Sequence, residues 1–227
     1  MAATNSVADI ANKPAGSKQR AADIAYNVLE SMIVTLQLKP GTPIVEAELV
    51  AATGLGRTPL REALMRMSAN GLIVQLPRRG LIVSDIELAA HLSLIETRRV
   101  LECLIAASAA RRATPQQRKD ILMHAKKMVA ATRKNDLKTY MQADQALDTV
   151  SHQACRNPSA VAAVIPQVMQ CRRFWYAFQH EGDIEADAKC HMMLAAAIAN
   201  DDPDAAVGAA EALMDYLDSF ARKVIDK

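Results

Sequence analysis

No two of the four cysteines (Cys103, Cys155, Cys171 and Cys190) stand in a C-x-x-C spacing, which argues against a zinc knuckle or a redox dithiol. They read as scattered buried thiols of a cytosolic protein. No apolar run approaches the roughly 20 residues that a bilayer-spanning helix needs. Residues 1–16 have no apolar signal-peptide core, so nothing directs export, and they read as a disordered tail. A large charge of one sign is missing too. The formal net charge is +2, which argues against a non-specific nucleic-acid coat and leaves room for local basic patches. Aromatic residues are scarce, at 4% of 227 positions. Alanine, leucine and methionine dominate instead, and as good helix formers they predict a mostly α protein.

Helical spacing of Ile24, Val28, Leu29, Met32, Ile33 and Leu36 predicts a helix over 17–37, stopped by Lys39-Pro40-Gly41. A short helix over 45–52 follows, then the turn Thr53-Gly54-Leu55-Gly56 and a third helix over 58–70. Thr58 is its expected N-cap, with Pro59 at the first helical position and Asn70-Gly71 as the stop. Two short β-like runs, 72–76 and 81–83, flank Pro77-Arg78-Arg79-Gly80 and read as a hairpin. Helix, helix, turn, helix, hairpin is the order of a winged helix-turn-helix, expected over 17–84. From residue 85 to 227 only helices are expected, over 86–112, 115–134, 136–156, 158–180, 184–199 and 203–224, with a kink at Pro166. Short connections imply antiparallel neighbours and hence an all-α helical bundle.

Residues 51–83 carry five arginines against one acid, Glu62. Arg57 and Arg61 flank the start of the third helix, and Arg78 and Arg79 sit at the hairpin tip. A recognition helix turns its N-terminal residues toward base edges in the major groove, where arginine bonds bidentately to guanine. Thr58 and the first helical N–H groups suit a phosphate oxygen.

The run Ala51-Ala52-Thr53-Gly54-Leu55-Gly56-Arg57-Thr58-Pro59-Leu60-Arg61-Glu62-Ala63-Leu64, with Asn70-Gly71-Leu72-Ile73 and Pro77-Arg78-Arg79-Gly80, resembles the reading head of the GntR family. The resemblance implies DNA contacts at Arg57, Thr58, Arg61, Arg78, Arg79 and Gly80. Gly56 departs from the usual Ser or Thr, which removes a phosphate contact. Ala47 stands where some family members carry a DNA-contacting Arg.

On spacing alone, Asp148 and His152 share one helix face at i and i+4, as metal ligands or as a solvated pair, with His191 a third candidate ligand. Arg98 lies on an apolar helical stripe. It requires a partner there, either an acid such as Glu102 or Asp148, or a ligand carboxylate. The stretch Arg172-Arg173-Phe174-Trp175-Tyr176 reads either as core packing plus a solvated arginine pair or as the wall of a pocket. The helical part resembles the FadR-type subfamily and its FCD ligand-binding domain. The passages that carry this resemblance are Glu96 to Glu102, Asp148 to His152 with Asn157-Pro158, and His191 to Asp202. It implies a divalent metal (Zn, Ni or Mn) on Asp148, His152 and His191. The usual last-helix His is missing, because Leu213 stands at that position. It also implies an effector site at Arg98, to which the aromatic stretch adds Arg172 and Tyr176.

The expected function is a cytoplasmic, nucleoid-associated transcription repressor, with no membrane association. Its homodimer reads an inverted repeat in double-stranded DNA, and a small organic acid, with an aromatic carboxylate favoured by the aromatic stretch, controls its affinity. A regulator that senses the metal itself is the rival reading. A metal-dependent hydrolytic enzyme is the remoter one, and it leaves the arginines of the reading head unexplained.

Overall fold

The computed structural model describes residues 20–227, so the tail expected over 1–16 lies outside the described residues. The chain divides between Ile86 and Glu87 into two compact units.

The first unit is built from α1 (Ala21–Val34), α2 (Glu46–Thr53), α3 (Arg57–Ala69), β1 (Ile73–Leu76) and β2 (Gly80–Val83). Ala25, Leu29 and Ile33 of α1 meet Leu60, Ala63 and Met67 of α3, and all six are fully buried. Truncating one such leucine to alanine costs about 2–5 kcal/mol. α1 ends at Val34, short of the expected 37, because Leu36 turns into the left-handed region at φ 56°. Gly54, at φ 69°, closes α2 in the conformation that only glycine adopts without strain.

Thr58 is not the N-cap of α3. Gly56 holds that position and its carbonyl accepts from Leu60 N at 3.2 Å, which places Pro59 third in the helix. Proline is tolerated there because first-turn N–H groups have no intrahelical partner. The hairpin pairs Ile73 with Val83 and Leu76 with Gly80. Along the free edge of β2 runs the segment 41–44, with Gly41 N donating to Val83 O at 2.9 Å and Ile44 N to Leu81 O at 2.8 Å. This segment, an isolated bridge at Pro43 beside the two-stranded wing, was not expected, since Gly41 and Pro43 read locally as turn residues.

The second unit holds α4 (Leu88–Arg112), α5 (Pro115–Thr132), α6 (Leu137–Cys155), α7 (Pro158–Phe178), a 3₁₀ turn (Gln179–Glu181), α8 (Ile184–Ala199) and α9 (Pro203–Ile225). Side chains at the connections set the helix starts. Thr114 and Gln117 form a reciprocal capping box, and Asp136, Asn157, Asp183 and Asp202 each accept from a first-turn N–H. α4 packs against α6, α7, α8 and α9. Arg118 of α5 donates to Ala110 O at 2.8 Å and to Ile198 O at 2.6 Å, satisfying the carbonyl ends of α4 and α8. α7 continues as one helix through Pro166. No helix among the described residues is long and apolar enough to cross a membrane.

Candidate DNA-reading surface and ligand cleft

In the first unit α3 presents Arg57, Thr58 and Arg61 to solvent at its N-terminal end. Arg61 is held by α2: its Nε lies 2.7 and 2.9 Å from the two carboxylate oxygens of Glu46. Arg66, further along α3, is also exposed but is engaged within the unit. It pairs with Asp23 at 2.8 Å and lies 4.1 Å over the Tyr26 ring, so it ties α3 to α1. At the wing tip Arg78 (φ 64°) and Gly80 (φ 75°) make the left-handed turn that leaves Arg78 and Arg79 exposed.

In the second unit a narrow cleft with about 30 Å³ of free space opens among α4, α6, α7, α8 and α9. Arg98 reaches it from α4, buried, with Nε and Nη2 both 2.9 Å from one oxygen of Glu102. Of the two acids considered as its partner, Glu102 is the one it pairs with. Burial works against the Arg98 charge, and Glu102, together with Cys171 and Asp148, more than restores it.

From α7, Arg172 reaches across to α6. Its Nε lies 2.5 Å from Asp144 Oδ2 and its Nη2 lies 2.7 Å from Asp148 Oδ2. The network continues through His191, whose Nε2 is 3.3 Å from the other Asp144 oxygen and whose Nδ1 is 3.0 Å from Asp187 O. It ends at Asp187, whose Oδ2 accepts from the Tyr140 hydroxyl at 2.6 Å.

Both ring nitrogens of His191 therefore face acceptors, which makes it an imidazolium donating on both sides. Burial alone would lower its pKa, but Asp187 and Asp144 hold it up at about 9. Burial pushes the Asp148 and Asp187 carboxyls up, and Asp144 adds to both shifts. Asp144 is driven well below the usual carboxylate range: burial opposes this, and Arg172 and His191 overcome it.

The residues do not fit a divalent metal. Arg172 occupies Asp148, and the two nitrogens of His191 already face Asp144 and the Asp187 carbonyl, so a metal would have to displace these partners. His152 lies a turn beyond the cleft on α6, with Nε2 buried and not hydrogen-bonded. Leu213, at the last-helix position, is buried and apolar. Among the described residues no three His, Cys, Asp or Glu side chains are placed to hold a metal ion. Arg172 and His191 supply the positive charge here.

Tyr176 does not line the cleft; Trp175 does. Val168, Cys171, Arg172 and Trp175 form the facing stripe of α7, and Tyr176 falls on the next stripe round at about 100° per residue. Neither arginine of the expected solvated pair is solvated, since Arg172 is 9% and Arg173 0% exposed. His91 is buried and stacked on Phe174 with ring centroids 3.7 Å apart. Sequence reasoning also missed Asp187 and Tyr140. The signal for Asp187 was present: with His191, Leu194 and Ile198 it forms a buried i, i+4, i+7, i+11 stripe on α8.

An exposed arginine-bearing helix beside a basic β-wing, followed by an all-helical domain with a buried polar cleft, defines a two-part DNA-binding regulator. Comparison with known proteins gives the family. Residues 21–83 match the model of bacterial regulatory proteins of the gntR family, and residues 93–216 match the FCD domain. The chain therefore belongs to the GntR family of transcription regulators, in the branch that carries an FCD domain. Members of this family are DNA-binding regulators and not enzymes.

The chain is similar to the HTH-type transcriptional repressor RspR of Escherichia coli strain K12, 36% identical over 92 residues, which is 40% of each chain. It is also similar to the Nta operon transcriptional regulator of Aminobacter aminovorans, 36% identical over 86 residues, 38% of this chain and 41% of that one. The matches thus span about two-fifths of these relatives' length. Among solved structures, McbR/YncC of E. coli has a TM-score of 0.73 at 17% identity, covering 87% of this chain and 95% of that one. A GntR regulator from Rhodococcus sp. RHA1 has a TM-score of 0.62 at 17% identity, covering 89% and 97%. At these identities the structural likeness is one of fold.

Proposed function

We propose that this regulator is a repressor whose operator affinity is set by a small organic acid. As a homodimer it places two copies of α3 in successive major grooves of an inverted repeat. Arg57 and Arg61 meet base edges, Thr58 meets a phosphate, and Arg78, Arg79 and Gly80 bring the wing to the adjacent groove or backbone. The acid enters the cleft of the FCD domain, where its carboxylate meets Arg98 beside Arg172. It favours one arrangement of the dimer, which changes the separation of the two reading heads.

The observation that carries this reading is the pair of buried arginines, Arg98 and Arg172, at the wall of a cleft that also holds the flat face of Trp175. That the similar protein RspR is a repressor supports the direction of control. A version triggered by a metal finds no support in a cleft whose carboxylates are already bound to Arg172.

The test is fluorescence anisotropy on the DNA upstream of the protein's own gene, against random DNA of equal length, with a panel of organic acids. The expected result is specific binding that one acid class weakens in the wild type and not in Arg98→Ala. Equal affinity for both DNAs would overturn the DNA reading. Specific binding that no acid alters would overturn the acid reading.

A further inference from the structure

We propose that the cleft takes a zwitterion, a small amino carboxylic acid with an apolar side chain, whose carboxylate binds at Arg98 and whose ammonium binds at Asp187. This inference rests on the acid-binding reading of the same cleft and narrows it.

Charge balance is the first reason. Around the cleft, Arg98 is already paired with Glu102, and Arg172 with both Asp144 and Asp148. His191 lies between Asp144 and Asp187. Four carboxylates thus face three cations. A bare carboxylate entering this buried site would deepen the negative excess, and an uncompensated buried charge is costly. A ligand that brings its own ammonium leaves the balance unchanged.

The second reason is where hydrogen-bonding capacity remains. Glu102 takes Nε and Nη2 of Arg98, and the guanidinium's other partner is the Cys171 thiol, a weak acceptor that a ligand carboxylate can displace. At the α8 side of the cleft, Asp187 is 3% exposed and its Oδ2 is taken by Tyr140. Its Oδ1 makes no hydrogen bond and lies 3.6 Å from His191 Nδ1. A buried carboxylate oxygen without a donor, lining a cleft, is a place for an N–H of a ligand. Tyr140 and Trp175, stacked with centroids 5.4 Å apart, line the same cleft and favour a cation over an anion at their faces. Met141, Val168 and Leu217 supply the apolar wall for a side chain.

The experiment is titration calorimetry on the full chain with two matched sets of probes. One set is phenylalanine, 3-phenylpropionate and phenethylamine. The other is leucine, 4-methylpentanoate and 3-methylbutylamine. In at least one set the amino acid should bind tighter than both its acid and its amine by about tenfold or more, the worth of one charged hydrogen bond. In Asp187→Asn the amino acid should lose about tenfold while the acid loses nothing. Tyr140→Phe keeps the Asp187 charge and frees Oδ2, so it should retain the preference for the amino acid. If Asp187→Asn does not fold, the wild-type ranking and Tyr140→Phe decide.

An acid that binds as tightly as its amino acid would overturn the zwitterion and leave the acid-binding reading standing. An amine that binds as tightly would overturn both. So would the absence of binding by all six probes, if organic acids also left operator affinity unchanged.

Discussion

Arg172 lies 2.7 Å from Asp148 and bridges it to Asp144, so a guanidinium stands between two buried carboxylates. Removing the cation while keeping the bulk, as in Arg172→Met, leaves both carboxylates uncompensated, at a cost of about 3–5 kcal/mol. The urea midpoint at pH 7.5 reads that loss. The deficit should shrink at pH 4.5, where the orphaned carboxyls take up protons. A chelator should leave the wild-type midpoint unchanged. A drop on adding EDTA would show that a metal, and not Arg172, holds the pair together.

Two buried histidines oppose each other in pH. His191 is raised from 6.5 to about 9, so its contribution is complete below pH 6.5 and is lost as the pH rises through 9. His91 is lowered from 6.5 to about 4, by burial first and then by Arg98, so its contribution is complete above 6.5 and is lost as the pH falls toward 4. Each is worth on the order of 3 kcal/mol across its window. His191→Gln should flatten the alkaline side of the stability profile between pH 6.5 and 9. His91→Phe, which keeps an aromatic stack on Phe174, should flatten the acid side. Chemical unfolding at half-unit pH steps separates the two. An unchanged alkaline slope in His191→Gln would rule out the imidazolium.

What could be read from the sequence was local. Helix periods, the Gly71 stop and the arginines of α3 and the wing each declare themselves within a few residues. What could not be read depends on partners far along the chain. Segment 41–44 bridges to the wing only because β2 lies beside it. Arg172 and Arg173, adjacent charges on one helix, resemble a solvated pair until α6 brings Asp144 and Asp148 to Arg172. The spacing of Asp148 and His152 correctly placed two side chains on one side of α6, yet the cleft ends before His152. A motif constrains separation along a helix, and it does not say which side chain from another helix arrives first.

The arginines of α3 should separate by function. Arg57→Ala should cost about 1–3 kcal/mol of operator affinity and relax base preference at one position. Arg66→Ala removes the Asp23 pair and the contact with Tyr26, so it should lower the stability of the first unit by about 1 kcal/mol or less and leave base preference alone. Arg78→Ala and Arg79→Ala should weaken binding to all sequences alike and reduce the salt slope by about 1 each. Anisotropy titrations at several salt concentrations, paired with thermal melts, give all four readings. Lost base preference in Arg66→Ala would contradict its role as a tie between α3 and α1.

Glu46 meets Arg61 at the surface, where the pair is worth at most about 1 kcal/mol to folding because both groups are solvated. Its value lies in aim. With both carboxylate oxygens on Nε, the guanidinium is fixed in direction before DNA arrives, so less side-chain entropy is lost on contact. Glu46 is also a negative charge beside a phosphate-seeking surface, which opposes non-specific binding. Glu46→Ala should therefore leave the melting temperature nearly unchanged, raise affinity for random DNA, and lower the ratio of operator to random affinity. Arg61→Ala should lower both affinities, and the double variant should resemble Arg61→Ala alone. If Glu46→Ala raised both affinities equally and kept the ratio, the carboxylate would act only as a repulsive charge and would not position Arg61.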